Sequence, residues 1–353
     1  MARIDTLLEE VLRRNGSDLH FMAGQPPRIR QYGRLMSLRD EPLAPEFVRE
    51  ALYEVMPRQA VERFEHREGA DFAYSLAGLA RFRVNVLRHL TGMGGVFRAI
   101  PSKAMTLDQL QMPDAVRNLC KMTSGLILVT GKTGSGKSTT LAAMLDDLNQ
   151  SLKGHILTIE DPIEFVHPRK GCLVSQREIG THAPSFPAAL HSALREDPDV
   201  ILVGELRDLE TMSTAITAAE MGILVMATLH TNGAAAAVDR MVNAFPADKQ
   251  PHVRTMLSTS LRGVISQQLI LRRDGKGRAC ALEILVNTPA VSNLIRQGKI
   301  DQLENAMQSG ASQGMRTMDS AIQQLLDAGV ISGRSAFEKA INKQRFEPVR
   351  DMD

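Results

Sequence analysis

Gly131-Lys132-Thr133-Gly134-Ser135-Gly136-Lys137-Ser138-Thr139 satisfies the phosphate-loop pattern G-x-x-x-x-G-K-[ST] at every fixed position. An apolar run, Leu126-Ile127-Leu128-Val129, precedes it, and a helix-like run, Leu141-Ala142-Ala143-Met144-Leu145, follows. Strand, glycine loop and helix start are the context that turns the pattern into a site. Successive backbone N–H groups and a helix N-terminus face the phosphates of a bound ligand there. Glycine permits the close backbone approach and the unusual dihedrals. Lys137 is expected to reach the β- and γ-phosphates and Ser138 to ligate Mg²⁺. The ligand class implied is a nucleoside triphosphate, ATP or GTP.

Around this loop, apolar strand-like runs at 126–130, 155–159, 200–204 and 223–228 alternate with helical patterns. Such alternation predicts an α/β fold, a mostly parallel sheet with helices on both faces. The C-terminal part reads as mainly helical, with Met318, Ala321-Ile322 and Leu325-Leu326 at helical spacing. The N-terminal part has another texture. Leu7, Leu8, Val11 and Leu12 share one face of a helix that Asn15-Gly16-Ser17-Asp18 stops. Strand-like runs follow at 19–22 and 26–30, before a turn at Tyr32-Gly33, and a helix is expected over 46–55. Further strands are expected at 71–75 and 80–87. Gly92, Gly94 and Gly95 are read as loosening the chain before a last run at 96–100. The division expected is a small α+β module over 1–100, a linker over 101–107 beginning Pro101-Ser102-Lys103, and the ATPase region over 108–353.

Composition excludes several classes. The chain has 353 residues, 43% hydrophobic and 23% charged, with a net charge of +2, as an ordinary folded protein would. A near-neutral balance gives no extended nucleic-acid surface. Aromatic content is 4%, tryptophan is absent and no Lys/Arg run occurs, so stacking platforms for a single strand are scarce. Cys120, Cys172 and Cys280 lie far apart in no metal-ligand spacing, so reduced thiols and no zinc site are expected. The start, Met1-Ala2-Arg3-Ile4-Asp5, has no signal-peptide pattern. The longest apolar stretches fall well short of the ~20 residues that span a bilayer. Cytoplasmic placement, with membrane contact only through a partner, is the expectation.

Phosphoryl transfer needs a metal-positioning carboxylate and a group that orients water. Asp199-Val200-Ile201-Leu202-Val203-Gly204-Glu205 delivers an acid at the end of a strand, where ligands of such sheets bind. Glu205 is therefore a candidate for the Mg²⁺ shell through water, or an ordinary first-turn acid. The strand over 155–159 ends in Glu160-Asp161-Pro162-Ile163-Glu164, three carboxylates that cations or a metal would have to balance. Glu164 is the candidate to orient the attacking water, with a solvated acidic turn as the plainer reading. Leu229-His230-Thr231-Asn232 brings a histidine to a further strand end, as a γ-phosphate sensor or a structural residue. Arg81 and Arg83, two apart on a strand, share a face, as a phosphate clamp or as solubilising charge on an edge strand. Arg195 and Arg207 flank the second acidic strand, where Asp197, Asp199 and Asp208 are expected to pair with them.

These pieces stand in an order that resembles the type II/IV secretion ATPase superfamily. Thr158-Ile159-Glu160-Asp161-Pro162-Ile163-Glu164 is similar to its Asp box, the segment 197–208 to its Walker B segment, and Thr228-Leu229-His230-Thr231-Asn232 to its His box. Within it the chain most resembles the retraction ATPases of type IV pili, the PilT/PilU family. The likeness is carried by Gly16-Ser17-Asp18-Leu19-His20, by Arg81-Phe82-Arg83-Val84-Asn85, by the segment 290–299 and by Gly314-Met315-Arg316-Thr317-Met318-Asp319. The resemblance implies a PAS-like N-terminal α+β domain, a RecA-like P-loop ATPase domain and a homo-hexameric motor. It also implies that ATP hydrolysis drives pilus retraction through an inner-membrane platform protein, in some cases beside a paralogous retraction ATPase. By the same resemblance Glu164 is the catalytic glutamate, Glu205 the Walker B acid and His230 the His-box residue, while Arg81 and Arg83 point at nucleotide.

The chain departs from the family pattern at Lys132, commonly proline, and at Ile223, commonly a first histidine. Ser292 and Gln297 replace residues commonly charged, and the segment after about 330 matches no motif. The departures keep an accessory retraction ATPase as an alternative. A pilus-extension or type II secretion ATPase is disfavoured by the few cysteines, and a nucleic-acid translocase by the composition.

Overall fold

The computed structural model describes residues 2–31, 34–66, 69–76, 79–100 and 104–351. The turn expected at Tyr32-Gly33 and the linker expected at Pro101-Ser102-Lys103 lie outside them. The chain divides into two units, 1–103 with 164–166, and 104–163 with 167–353.

In the first unit, α1 (Asp5–Arg13) leads into β1 (Asp18–Met22), β2 (Arg28–Gln31) and β3 (Arg34–Ser37). Next come α2 (Pro45–Val55), α3 (Arg58–Glu65), β4 (Ala70–Leu76), β5 (Ala80–His89) and β6 (Gly92–Ile100). The strands form one sheet in the order β3-β2-β1-β6-β5-β4, antiparallel throughout. The helices bury Leu7, Leu8, Val11, Val48, Leu52 and Phe64 in a common core with Leu19, Phe21, Phe82, Val84 and Phe97 of the sheet. This is an α+β module. One local expectation is corrected. Gly92, Gly94 and Gly95 do not loosen the chain but are laddered into β6. A side chain on Gly94 would collide with Met22, and one on Gly95 with Leu52 of α2, so glycine is what lets the helix lie on the strand.

The second unit begins with α4 (Asp114–Cys120), β7 (Gly125–Thr130), α5 (Lys137–Ser151), β8 (His155–Glu160) and β9 (Leu173–Glu178). It continues through α6 (Phe186–Ala193), β10 (Val200–Val203), α7 (Leu209–Glu220), β11 (Leu224–Leu229), α8 (Ala234–Asn243) and α9 (Gln250–Ser260). A hairpin, β12 (Leu261–Leu271) and β13 (Arg278–Val286), precedes α10 (Pro289–Gln297), α11 (Leu303–Ser309), α12 (Met318–Asp327), α13 (Gly333–Lys339) and α14 (Lys343–Phe346). The sheet order is β13-β12-β7-β11-β10-β8-β9, and all neighbours are parallel except the hairpin pair. Successive side chains of a strand go to opposite faces. Leu126, Leu128, Ile201, Val203 and Val225 accordingly join one core with α6 to α10. Ile127, Val129, Val200, Leu202 and Met226 join the other with α4 and α5. Both faces are covered, which explains why these strands read as unbroken apolar runs.

The C-terminal part is mainly helical, as the sequence suggested, but it opens on a hairpin that the sequence reading did not include. Its β12–β13 hairpin escaped notice because Ser266, Gln267 and Gln268 interrupt the apolar pattern, although Asp274-Gly275 is a turn signal. β9 was missed for a related reason, since it is an edge strand in which four of six residues are polar. Among the described residues, no helix is long and apolar enough to cross a membrane.

The segment after residue 330 is an integral part of the second unit. Phe346, fully buried, packs with Ile270, Ala279 and Ala281 of the hairpin and with Met318 and Ile322 of α12. Asp319 accepts hydrogen bonds from the backbone N–H groups of Ile341 (2.7 Å) and Asn342 (2.8 Å), pinning α14 to α12. Replacing Phe346 with alanine should lower unfolding stability by about 3–5 kcal/mol, read as a shifted midpoint in urea. A change under about 1 kcal/mol would show that this segment is dispensable to the fold.

Candidate functional site

Because β7, β11, β10 and β8 are parallel neighbours, their carboxyl ends open on one edge of the sheet. Leu229 stands beside Thr130, and Val203 beside Ala227 and Ile159. The phosphate loop follows Thr130, His230 follows Leu229, and Glu205 follows Val203 by two residues. Three pieces of sequence between residues 131 and 230 are thereby brought to one rim, where ligands of such sheets bind.

In the loop, Gly131 (φ 142°) and Gly136 (φ 91°) adopt backbone conformations that side chains rarely reach. Gly136 is the N-cap of the 15-residue α5, and among the described residues no side chain caps it. The N–H groups of the first turn are therefore presented to the rim, with the positive end of the helix dipole behind them. Lys137 is buried, and its ammonium donates to the carbonyls of Gly131 (2.9 Å) and Lys132 (3.3 Å). Ser135 Oγ is buried with no hydrogen-bond partner among the described residues. An unmet hydroxyl, a buried ammonium and an uncapped helix start fit a phosphate chain. Lys132 itself is exposed, so its extra charge faces outward.

Glu205 and His230 are brought together, with His230 Nε2 3.3 Å from Glu205 Oε1. Arg207 donates from Nε to the other carboxylate oxygen at 2.7 Å. This corrects the ion pairing expected of Arg207 with Asp208. Asp208 is instead the N-cap of α7, accepting from the backbone N–H of Thr211 at 2.8 Å. Asp199 is likewise engaged elsewhere, by the N–H of His155 at 2.8 Å. Among the described residues Arg195 forms no ion pair with either. Ile223 stands just before β11, against the apolar core and at the opposite end of the strand from His230. At about 3.3 Å per residue, some 20 Å separates the two positions.

At the end of β8, Glu160 is buried and accepts from Thr158 Oγ1 (2.7 Å) and Gln176 Nε2 (3.3 Å), so local donors balance one of the three carboxylates. Glu178 of β9 accepts from the backbone N–H of Ile163 at 3.1 Å and fixes the chain just before Glu164. The segment Glu164–Val166 is grouped with the first unit. Arg81 and Arg83 belong to that unit and share the face of β5 opposite Phe82, Val84 and Val86. β5 lies between β4 and β6, so the edge-strand explanation for the two arginines fails.

Sequence reasoning missed Ser266, Gln267 and Glu283. Gln267, 1% exposed, donates from Nε2 to the carbonyl of Ser135 at 2.6 Å. Ser266 Oγ accepts from the N–H of Gly233 at 3.0 Å. Glu283 accepts from the N–H groups of Ala234 (2.5 Å) and Met318 (3.1 Å), and burial pushes its carboxyl above the usual range. The available signal was a polar run inside an otherwise apolar strand.

Residues 1–275 match the family model described as "Type II/IV secretion system protein". The chain is 50% identical over 343 residues to the type IV pilus retraction ATPase PilT of Pseudomonas aeruginosa, covering 97% of this chain and 99% of that one. It is 41% identical over 336 residues to the type IV pilus ATPase PilU of the same organism, covering 95% and 88%. Among solved structures, the pilus retraction motor PilT with bound ADP superposes with a TM-score of 0.92 at 42% identity, over 99% of this chain and all of that one.

The geometry of Asp208 separates structure from chemistry. Asp208→Ala should cost about 1 kcal/mol of stability through the lost cap while nucleotide affinity stays unchanged, as thermal melting and nucleotide titration would show. Loss of nucleotide binding with an unchanged melting temperature would contradict the capping role.

Proposed function

The chain belongs to the type II/IV secretion system protein family, a family of ATPases, and we propose that within it the chain is a motor whose ATP hydrolysis powers type IV pilus retraction. The observation that carries this reading is collinearity. The likeness to the Pseudomonas retraction ATPase extends over nearly all of both chains, and its identity is 9 percentage points above that to PilU (50% against 41%). A principal motor is therefore favoured over an accessory one. Ile223, one of the departures that raised the accessory reading, lies at the strand end away from the rim.

In this reading the loop amides of 131–139 and Lys137 hold the β- and γ-phosphates. Ser138 and, through water, Glu205 supply the hard oxygen donors that suit Mg²⁺, which when bound neutralises charge developing on the phosphates. Glu164 orients the attacking water, which forms the new bond to the γ-phosphorus as the bond to the β,γ-bridging oxygen breaks. Arg81 and Arg83 balance phosphate charge. His230 reports the state of the γ-phosphate through its contact with Glu205. No zinc enters the scheme.

Six copies form the working ring, as the resemblance implies, at the cytoplasmic face of the inner membrane. There the platform protein of the pilus machine receives the motion. The segment 290–299 forms most of α10, capped by Thr288 and ended by Gly298 in the left-handed region (φ 72°). Ser292 is turned inward onto the Ser258 carbonyl at 2.7 Å, which leaves Asn293, Arg296, Gln297 and Lys299 as the exposed polar contacts of the segment for a partner.

Lys137→Ala and Glu164→Gln should each lower ATP turnover by about 100-fold or more in a phosphate-release assay on the purified full-length protein. Turnover within about 3-fold of the parent would remove the assigned roles. Deleting the gene should leave cells hyperpiliated and unable to twitch, whereas bald cells would point to pilus extension.

A further inference from the structure

We propose that Ser266, Gln267 and Glu283 are positioning residues that lock the phosphate loop and the His230 loop into one fixed relation through the β12–β13 hairpin. The inference rests on the reading of the rim as a nucleotide site.

β12 runs parallel to β7, with Ser266 beside Thr130, so the strand continues alongside the glycine loop. A Cβ on Gly131 would meet the Gln267 carbonyl oxygen at 2.5 Å, and one on Gly136 would meet Gln267 Nε2 at 3.0 Å. Gln267 thus lies against Gly131 and Gly136 and is hydrogen-bonded to Ser135 between them. Its Oε1 is buried without a hydrogen-bond partner among the described residues. A methionine of similar size would fill the same place without burying an unmet acceptor. The amide is therefore explained by its donor, and the donor is used on the phosphate loop.

Adjacent strand residues point to opposite faces. Ser266 accordingly turns the other way and holds Gly233, which follows His230-Thr231-Asn232. Glu283 is the cross-strand partner of Ser266 and takes the next N–H, that of Ala234, at the start of α8. Its second oxygen takes the N–H of Met318 at the start of α12. One buried carboxylate thus serves two helix N-termini, where negative charge is favoured. Two consecutive residues of one strand and one facing residue connect the loop that binds phosphate, the loop that carries His230, and the C-terminal helices. A shift of the phosphate loop that carries Gln267 with it moves the anchor of the His230 loop as well.

The test uses the purified full-length protein, with a fluorescent ADP analogue for affinity and phosphate release for turnover. Gln267→Met should weaken ADP-analogue affinity about 10-fold, the effect of one lost buried hydrogen bond, while kcat at saturating ATP falls less. Ser266→Ala and Glu283→Gln should show the reverse split, with kcat about 10-fold lower and affinity within about 2-fold of the parent. Ser266→Thr, which keeps the hydroxyl, should restore kcat. In the double variant Gln267→Met/Ser266→Ala, kcat/KM should depart from the product of the single effects by about 5-fold, as coupled sites do. Melting temperature checks folding. If Glu283→Gln fails to fold, Ser266→Ala carries the test, since it removes one hydroxyl only. Multiplicative single effects, or variants equal to an active parent in both affinity and kcat, overturn the inference alone. A parent protein that neither binds the ADP analogue nor hydrolyses ATP overturns the nucleotide reading beneath it.

Discussion

A phosphate-binding loop must keep backbone N–H groups unpaired and aimed at one point until a ligand arrives, and it therefore has few of them to spend on holding its own shape. Gly131 and Gly136 supply the required dihedrals, but glycine also gives the chain freedom to leave them. Much of the restraint comes from side chains. Lys137 is folded back onto the carbonyls of Gly131 and Lys132, and Gln267 reaches across from β12 to the carbonyl of Ser135. The carbonyls of Gly131, Lys132 and Ser135 are tied down, that of Lys132 also by the Ser135 N–H at 3.1 Å, while the N–H groups that begin α5 have no side-chain cap among the described residues. That division of labour is what the rest of the second unit supports.

It explains the strand order. β7 sits between β11 and β12, so the loop that leaves it has the His230 loop on one side and the Gln267 strand on the other. The hairpin partner β13 then brings Glu283 under the start of α8, and from there to α12. A buried carboxylate with only N–H partners is a costly device compared with an apolar side chain. Its two partners are helix starts that would otherwise lack acceptors. The C-terminal helices are tied to the same hairpin by Phe346 and to each other by Asp319. The nucleotide rim and the C-terminal end of the chain thus share one structural support.

Much of this was legible in the sequence, and the boundary has a physical cause. Fully buried parallel strands are apolar on both faces, so 126–130, 155–159, 200–204 and 223–228 announced themselves as runs, and the acids and the histidine stood directly after them. The phosphate loop was readable because its backbone demands specific residue types at fixed spacing. What escaped were elements whose residues answer to neighbours distant in sequence. β12 carries polar side chains because two loops need them, and β9 is mostly polar because it is an edge. The glycines of β6 looked like looseness because their reason, the closeness of Met22 and Leu52, is tertiary. Asp208 looked like an ion partner, and only the path of α7 shows it to be a cap.

Arg81 and Arg83 show how position can remove one of two readings of the same residues. Sequence spacing allowed a phosphate clamp or charge placed to keep an edge strand soluble. An interior strand needs no such protection. The register adds a further constraint. Arg83 lies directly opposite Arg98, which lies opposite Asp18, which lies opposite Arg30. One carboxylate thus faces three guanidinium groups in a single cross-strand row, and that carboxylate is bonded to Arg98 at 2.8 Å. Like charges directly opposite each other weaken a sheet. A module built only for its own stability would place a neutral or acidic residue at position 83. Under the proposed function, a phosphate chain is the anion that the planar fork of Arg83 is shaped to take.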